Sequence, residues 1–318
     1  IDMKWVKECN PSSVMYVWQG GQEGGHGVCD ALTGRVNPCG KLTDTIAYDI
    51  KDYPSTENFG DERKNYYKED IYVGYRYFES FAKDKVLYPF GFGLSYTAFE
   101  IASAITDVTE NAITVEAVVK NTGDTAGKEV VEVYVEAPQG MLGKPSRVLA
   151  GFAKTQVIAP GEEEKVTIVI PKKAYASYDD SGVTGHKDSF LLEAGSYKIY
   201  AGADVRSAAL AGSYEQELKV IEQLEEACAP SEQFERMTRD ADGTLVYKKI
   251  PAREFGPYDR IEKPEEIAYT GDKGYKLADV YNKKITMDEF IAQLSDEQLI
   301  MLFHAEGMCS PKVTAGTA

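Results

Sequence analysis

Ile113-Thr114-Val115-Glu116-Ala117-Val118-Val119-Lys120-Asn121-Thr122-Gly123 alternates apolar and polar residues and then breaks at a turn. Successive side chains on a strand point to opposite sides, so Ile113, Val115, Ala117 and Val119 share one face. The same period of two recurs in Val131, Val133 and Val135, in Val166, Ile168 and Ile170, and in Tyr197 and Ile199. Turn-forming residues separate these runs: Ala137-Pro138-Gln139-Gly140, Pro160-Gly161 and Ala194-Gly195. The pattern predicts an antiparallel, immunoglobulin-like sandwich of about seven strands over residues 99–222. Tyr197, at the mouth of its strand, is placed to serve as a tyrosine corner. The charged run Gly161-Glu162-Glu163-Glu164-Lys165 reads as solvation of a turn and a strand end.

Upstream, Ser13-Val14-Met15-Tyr16-Val17-Trp18 is a short apolar run that breaks at Gly20-Gly21. Residues 22–33 follow with Val28, Ala31 and Leu32 at helical spacing, which predicts one strand, a tight turn and one helix. A lone strand cannot hide both faces, so its parallel neighbours are expected upstream of Ile1. Glycines between a strand and a helix also occur in dinucleotide-binding loops, but the Glu23 carboxylate would oppose a phosphate. The reading preferred for Gly20 to Gly27 is a tight turn that places Glu23 at a helix N-terminus. Gln22 and Glu23 are the candidates for lining a cleft.

Residues 51–77 are polar and dense in tyrosine, and read as a long excursion over a surface. Tyr88-Pro89-Phe90-Gly91-Phe92-Gly93-Leu94-Ser95-Tyr96 alternates rings with glycines, as anchors do where the backbone turns tightly. These aromatics suit stacking on sugar rings as well as packing, and packing is the reading preferred. Glu69 and Asp70 are adjacent, would point apart on a strand, and read as a solvated pair. Beyond the sandwich, residues 223–284 are charged and punctuated by proline, and an extended connector is expected. Thr286-Met287-Asp288-Glu289 and Ser295-Asp296-Glu297-Gln298 are consecutive capping boxes that start two short helices. The second carries Leu299, Leu302 and Phe303 as an apolar stripe with nothing downstream to cover, so a larger domain is expected after Ala318.

Composition narrows the functional classes. The 318 residues are 43% hydrophobic and 11% aromatic, enough for two or three ordinary cores. Fifty-one acidic against 35 basic residues give a net charge of -16, which repels phosphate backbones and anionic bilayers, so nucleic acid and membrane are not expected as partners. Ile1-Asp2-Met3-Lys4 does not open a signal peptide, and no apolar run is long enough to cross a bilayer. Cys9, Cys29, Cys39, Cys228 and Cys309 are odd in number and never form a CxxC pair, which fits reduced thiols and a cytoplasmic location. His26, His186 and His304 are far apart, so neither a metal site nor a Ser-His-Asp triad is expected. No cofactor is expected either.

Several motifs carry a family likeness. Gly20-Gly21-Gln22-Glu23-Gly24-Gly25, with Leu32-Thr33-Gly34-Arg35-Val36-Asn37-Pro38-Cys39-Gly40-Lys41-Leu42, resembles the end of the α/β-sandwich domain of family 3 glycoside hydrolases. Ile71-Tyr72-Val73-Gly74-Tyr75-Arg76-Tyr77 and the Tyr88 to Tyr96 motif look like that family's closing motifs, in its order and spacing. Val118-Val119-Lys120-Asn121-Thr122-Gly123, Gly127-Lys128-Glu129-Val130-Val131, Leu149-Ala150-Gly151-Phe152 and Ala159-Pro160-Gly161-Glu162 are similar to its fibronectin-III-like domain. The capped helices and Gly307-Met308-Cys309-Ser310-Pro311-Lys312-Val313-Thr314 look like the opening of its barrel domain, here placed after the sandwich as in permuted members.

The resemblance implies a multidomain, mainly β chain. A complete fibronectin-III-like sandwich (99–222) would be flanked by the C-terminal part of an α/β-sandwich domain (1–98). A connector (223–284) and the opening helices of a (β/α)8-type barrel domain (285–318) would follow. It further implies retaining hydrolysis of β-glucosides or oligosaccharides, with a barrel aspartate as nucleophile and an α/β-sandwich glutamate as acid/base. Two carboxylates about 5–5.5 Å apart permit the covalent glycosyl-enzyme intermediate that retention requires. Both family motifs are expected outside this chain, in missing barrel and α/β-sandwich segments of the same enzyme, so no catalytic residue is assigned here. The alternative is a non-catalytic fibronectin-III-like binding or spacer module.

Overall fold

A computed structural model describes residues 2–253 and 265–303. Before the sandwich come helices α1 (Lys4–Cys9) and α2 (Gly24–Leu32), strand β1 (Ile46–Ala47), helix α3 (Tyr75–Phe81) and strand β2 (Val86–Tyr88). The α2 helix forms where its periodicity places it, but residues 11–20 form no strand. Without a ladder neighbour among the described residues, their backbone groups have nothing to pair with. Val14 to Trp18 are left 38–56% exposed.

The alternating runs fold as expected. Strands β3 (Phe99–Val108), β4 (Ala112–Asn121), β5 (Val130–Glu136), β6 (Val148–Lys154) and β7 (Glu163–Pro171) come first. They are followed by β8 (Ser177–Asp179), β9 (Ser189–Leu192), β10 (Gly195–Gly202), β11 (Ala209–Gln216) and β12 (Lys219–Gln223). They pair antiparallel into sheets of order β3-β4-β7, β11-β10-β5-β6 and β12-β9-β8. Ile113, Val115, Val119, Val131, Val133, Ile170 and Ile199 are fully buried in one core between them. The Tyr197 hydroxyl donates to the Glu193 carbonyl at 3.0 Å, the geometry of a tyrosine corner. Asn121 closes β4 from inside the core: its amide donates to the Thr125 and Ile158 carbonyls, while its oxygen accepts from Thr97 Oγ1 and the Gly123 amide.

Strand β5 departs from simple alternation, because both of its faces are buried. Tyr75, Phe90, Leu149 and Tyr200 pack with Val205 against Tyr134 on the side facing away from the main core. The tyrosine-rich excursion therefore does rest on a surface, and the Tyr88 to Tyr96 motif pins it there. Tyr75 and Phe90 lie 4.6 Å apart between ring centroids, and the Val205 amide donates to the Phe90 carbonyl at 3.1 Å. Gly91 has a φ of 81°, and a Cβ there would collide with the Glu132 carboxylate and the Asp204 backbone.

The stretch expected as an extended connector is more ordered than its composition announced. It holds a hairpin, β13 (Glu235–Arg239) with β14 (Leu245–Lys249), turned through Gly243 at a φ of 91°. Met237 is buried at its centre, and its amide donates to the Lys68 carbonyl at 2.6 Å. Pattern reading overlooked it because its exposed face breaks the alternation with charges.

A second compact unit contains α4 (Leu277–Tyr281), α5 (Met287–Ala292) and α6 (Asp296–Phe303). Both capping boxes form: Thr286 and Glu289 exchange bonds of 3.1 and 2.7 Å, Ser295 and Gln298 bonds of 2.9 and 3.4 Å. Buried Gln293 ties the preceding loop down through both the amide and the carbonyl of Tyr275. Leu302 and Phe303 on α6 are exposed. His304, Cys309 and the Gly307 to Thr314 motif lie outside the described residues. No described helix is long and apolar enough to cross a membrane.

Candidate functional site

The candidates Gln22 and Glu23 sit in the turn that opens α2, and both are exposed. Glu23 is the N-cap residue, where a carboxylate meets the positive end of the helix. Its carboxylate contacts the Nδ1 of His26, one turn on. Earlier in the same segment, Tyr16 and Trp18 form an aromatic pair with ring centroids 4.4 Å apart. Trp18 holds a left-handed backbone, φ 49°, which is a strained conformation for a bulky residue. The structure thus leaves Gln22 and Glu23 in an exposed turn that follows the uncovered run Val14 to Trp18 in the chain.

Three polar clusters were not legible in the sequence. In the first, Asp70 is not a solvated neighbour of Glu69. It turns at a φ of 48° and lies 3.4 Å from Arg236 on β13, whose guanidinium also forks onto Asp180 at 2.5 and 2.9 Å. Burial pushes the Asp70 carboxyl up, and Arg236 opposes that shift. Asp70, Asp180 and Arg236 are shared by two adjoining cavities of about 470 and 830 Å3. Arg236 engages carboxylates from two other segments, so the cluster is a clamp between the excursion, the sandwich and the hairpin.

In the second, Glu132 on β5 is only 6% exposed and accepts a short hydrogen bond from the Tyr134 hydroxyl. Burial pushes its carboxyl up to about 7, against the pull of that bond and of Lys41. A value near neutrality is what a general acid needs, but the Phe90–Gly91 loop covers this carboxyl, leaving it a structural acceptor. In the third, the buried Lys144 ammonium contacts Glu193 and donates to the Pro138 carbonyl at 2.9 Å. Desolvation lowers the Lys144 pKa, while Glu193 opposes the shift. None of the three had a local sequence signal: the first and third join residues from distant segments, and the second is buried only because the Phe90–Gly91 loop covers it.

Two family models match this chain. The glycosyl hydrolase family 3 C-terminal domain matches residues 1–96, and the fibronectin type III-like domain matches residues 129–205. A β-glucosidase of Ruminococcus albus is 55% identical over 326 residues, covering 100% of this chain and 34% of that protein. β-Glucosidase A of Butyrivibrio fibrisolvens is 41% identical, over 95% of this chain and 41% of its own length. The crystal structure of a β-glucosidase from Paenibacillus barengoltzii superposes with a TM-score of 0.88 at 48% identity, covering 100% of this chain and 37% of that one. β-Glucosidase 3B of Thermotoga neapolitana in complex with glucose gives a TM-score of 0.59 at 41% identity, over 64% of this chain and 28% of its own. The chain spans about a third to two fifths of the length of the first relatives it matches.

Proposed function

Because the chain belongs to family 3 of the glycosyl hydrolases, we propose that it is the scaffold portion of a retaining β-glucosidase that removes terminal β-D-glucosyl residues from oligosaccharides or glycosides. The observation that carries this reading is the 55% identity to the Ruminococcus albus β-glucosidase along the whole of this chain. In the proposed reaction a carboxylate attacks the anomeric carbon while a second carboxylic acid protonates the departing oxygen. Water then releases the covalent intermediate, assisted by the same second group, and two inversions leave the configuration unchanged. Both carboxylates belong to barrel and α/β-sandwich segments outside these 318 residues. This chain contributes the sandwich, the excursion clamped to it and the cleft-side turn at Gln22 and Glu23.

The domain arrangement is part of the proposal: an α/β-sandwich portion over residues 1–98, the fibronectin-III-like sandwich over 99–222, a connector over 223–284 and the start of a barrel domain over 285–318. The full-length matches support the permuted order. The Ruminococcus and Paenibacillus relatives cover this entire chain, whereas the Thermotoga structure covers 64% of it. Likeness along the whole of this chain in the first two supports a helical unit that follows the sandwich. The scattered thiols favour a cytoplasmic setting.

The test is to assay the purified chain on an aryl β-glucoside, then repeat the assay with the barrel and α/β-sandwich segments restored. The anomer first released is followed by NMR. No turnover by the chain alone and release of the β-anomer after restoration is the expected result. Turnover by the chain alone refutes the placement of both carboxylates outside it.

A further inference from the structure

The two adjoining cavities share the wall made by Asp70, Asp180 and Arg236, and the rest of their linings carry opposite charge. Beyond that wall, the larger cavity adds Lys64 against Asp188, Glu225, Glu226 and Glu232. The smaller one, about 470 Å3, adds Arg76, Lys144, Lys248 and Lys249 and no carboxylate. An acidic lining is what a chain of net charge -16 produces by default, so the cationic lining is the one that calls for an explanation. Its volume lies within the range of small-molecule sites, about 300–1,000 Å3.

The cations of this lining differ in how they are engaged. Lys144 is buried against Glu193, and Arg236 is forked onto Asp180. The half-buried Arg76 side chain forms no hydrogen bond or ion pair among the described residues, and its guanidinium lies 6.0 Å from the centroid of the Tyr75 ring. Lys248 pairs across the hairpin with Arg236, which sets two cations opposite each other on one face, and its ion pair with Asp240 is long, 3.9 Å, and exposed. Like charges in that arrangement repel, and a bound anion relieves the repulsion. The rest of the wall includes apolar Met141, Leu142, Val148 and Phe190. A guanidinium presents a planar fork of donors that matches the oxygens of a carboxylate or phosphate, and an ammonium adds a point charge. Apolar walls favour a hydrocarbon body, while cations without a close counter-charge reject an amine. We propose that this cavity binds a small organic anion, with an oxyanion headgroup held by Arg76 and Lys248 and an apolar body resting on Met141, Leu142, Val148 and Phe190. The charge and apolar surface of the lining select this class, which stands independently of the β-glucosidase reading.

The test is calorimetric titration of the 318-residue chain with phenylbutyrate, phenyl phosphate, phenylbutylamine and inorganic phosphate. Saturable binding of phenylbutyrate, of phenyl phosphate or of both is expected, and the tighter of the two identifies the headgroup. Binding should weaken as salt rises, and by about tenfold in Arg76→Gln, with Arg76→Lys recovering part of the loss. Lys248→Glu, at a position whose side chain is 60% exposed, should weaken it by a similar factor without lowering the melting temperature. Circular dichroism and melting show whether Arg76→Gln is folded, and if it is not, Lys248→Glu decides alone. Absence of saturable binding by both organic anions, or binding of phenylbutylamine as tight as theirs, overturns the assignment. So does equal affinity for inorganic phosphate, which would mean an adventitious ion only. Unchanged affinity in folded Arg76→Gln or in Lys248→Glu overturns it as well.

Discussion

Val133 and Val17 both sit in apolar runs, yet one is sealed in the sandwich and the other is 44% exposed. Val133 lies on β5, which hydrogen-bonds to β6 on one side and β10 on the other. Val17 lies in a run of similar character that pairs with no strand among the described residues. The contrast separates two things that a hydrophobic pattern confounds. Alternation or β-branching fits a residue to a pleated surface, but a strand exists only where neighbours satisfy its amides and carbonyls.

The strongest way to break this comparison is to place a carboxylate at Val133. Val133→Asp should abolish the cooperative unfolding transition of the sandwich, since burying an unpaired carboxylate costs several kcal/mol against a total stability of about 5–15 kcal/mol. The matched control is Val169→Asp on β7, whose side chain is 64% exposed and faces away from the core. Its effect should stay within about 0.5 kcal/mol. Urea titrations of the two variants check the pair, and equal transitions would refute the assignment of inner and outer faces.

A smaller effect tests the second buried face of β5. The unfolded chain releases the Glu132 proton near 4.5, whereas the folded chain holds it up to about 7. Between those values the folded state binds more protons, so stability falls as pH rises through this window and is fully present below it. The loss should reach about 2–3 kcal/mol above pH 7, and Glu132→Gln should remove the dependence. Urea midpoints measured from pH 4 to pH 8 would reveal it. A flat profile in the unsubstituted chain would show that the Phe90–Gly91 loop does not seal the carboxyl.

That second face also marks where sequence reading stopped. Ile113, Val115, Val131, Val133, Ile168 and Ile199 could be assigned to the core because period two is a local property. Burial of Glu132 and Tyr134 depends on Tyr75 and Phe90 arriving from another segment. The capping boxes at Thr286 and Ser295 were readable, being complete within four residues. The hairpin over residues 235–249 was not, since Met237 is its one buried apolar residue and charged neighbours break the pattern. Arg236 joins Asp70 and Asp180 across three segments, so neither partner could be inferred from spacing. Glu23 was read at a helix N-terminus, where it is the N-cap, whereas the helix expected over residues 22–33 begins at Gly24 and leaves Gln22 in the turn.

The smallest expected effect sharpens the contrast most. Val17→Asp should leave the unfolding of this chain within about 0.5 kcal/mol of the original, because its side chain is already half in water and no ladder bond is lost. The proposed role of the segment gives a different outcome in the restored enzyme. There residues 13–18 would become a strand of a parallel sheet, and position 17 would be covered on both faces, where a carboxylate carries a penalty of several kcal/mol. Val17→Asp should therefore be silent in the urea titration of the chain and should block recovery of aryl β-glucoside hydrolysis when the other segments are supplied. Full recovery would mean that this run is surface in the whole enzyme, and the assignment of residues 13–18 to a sheet would have to be abandoned.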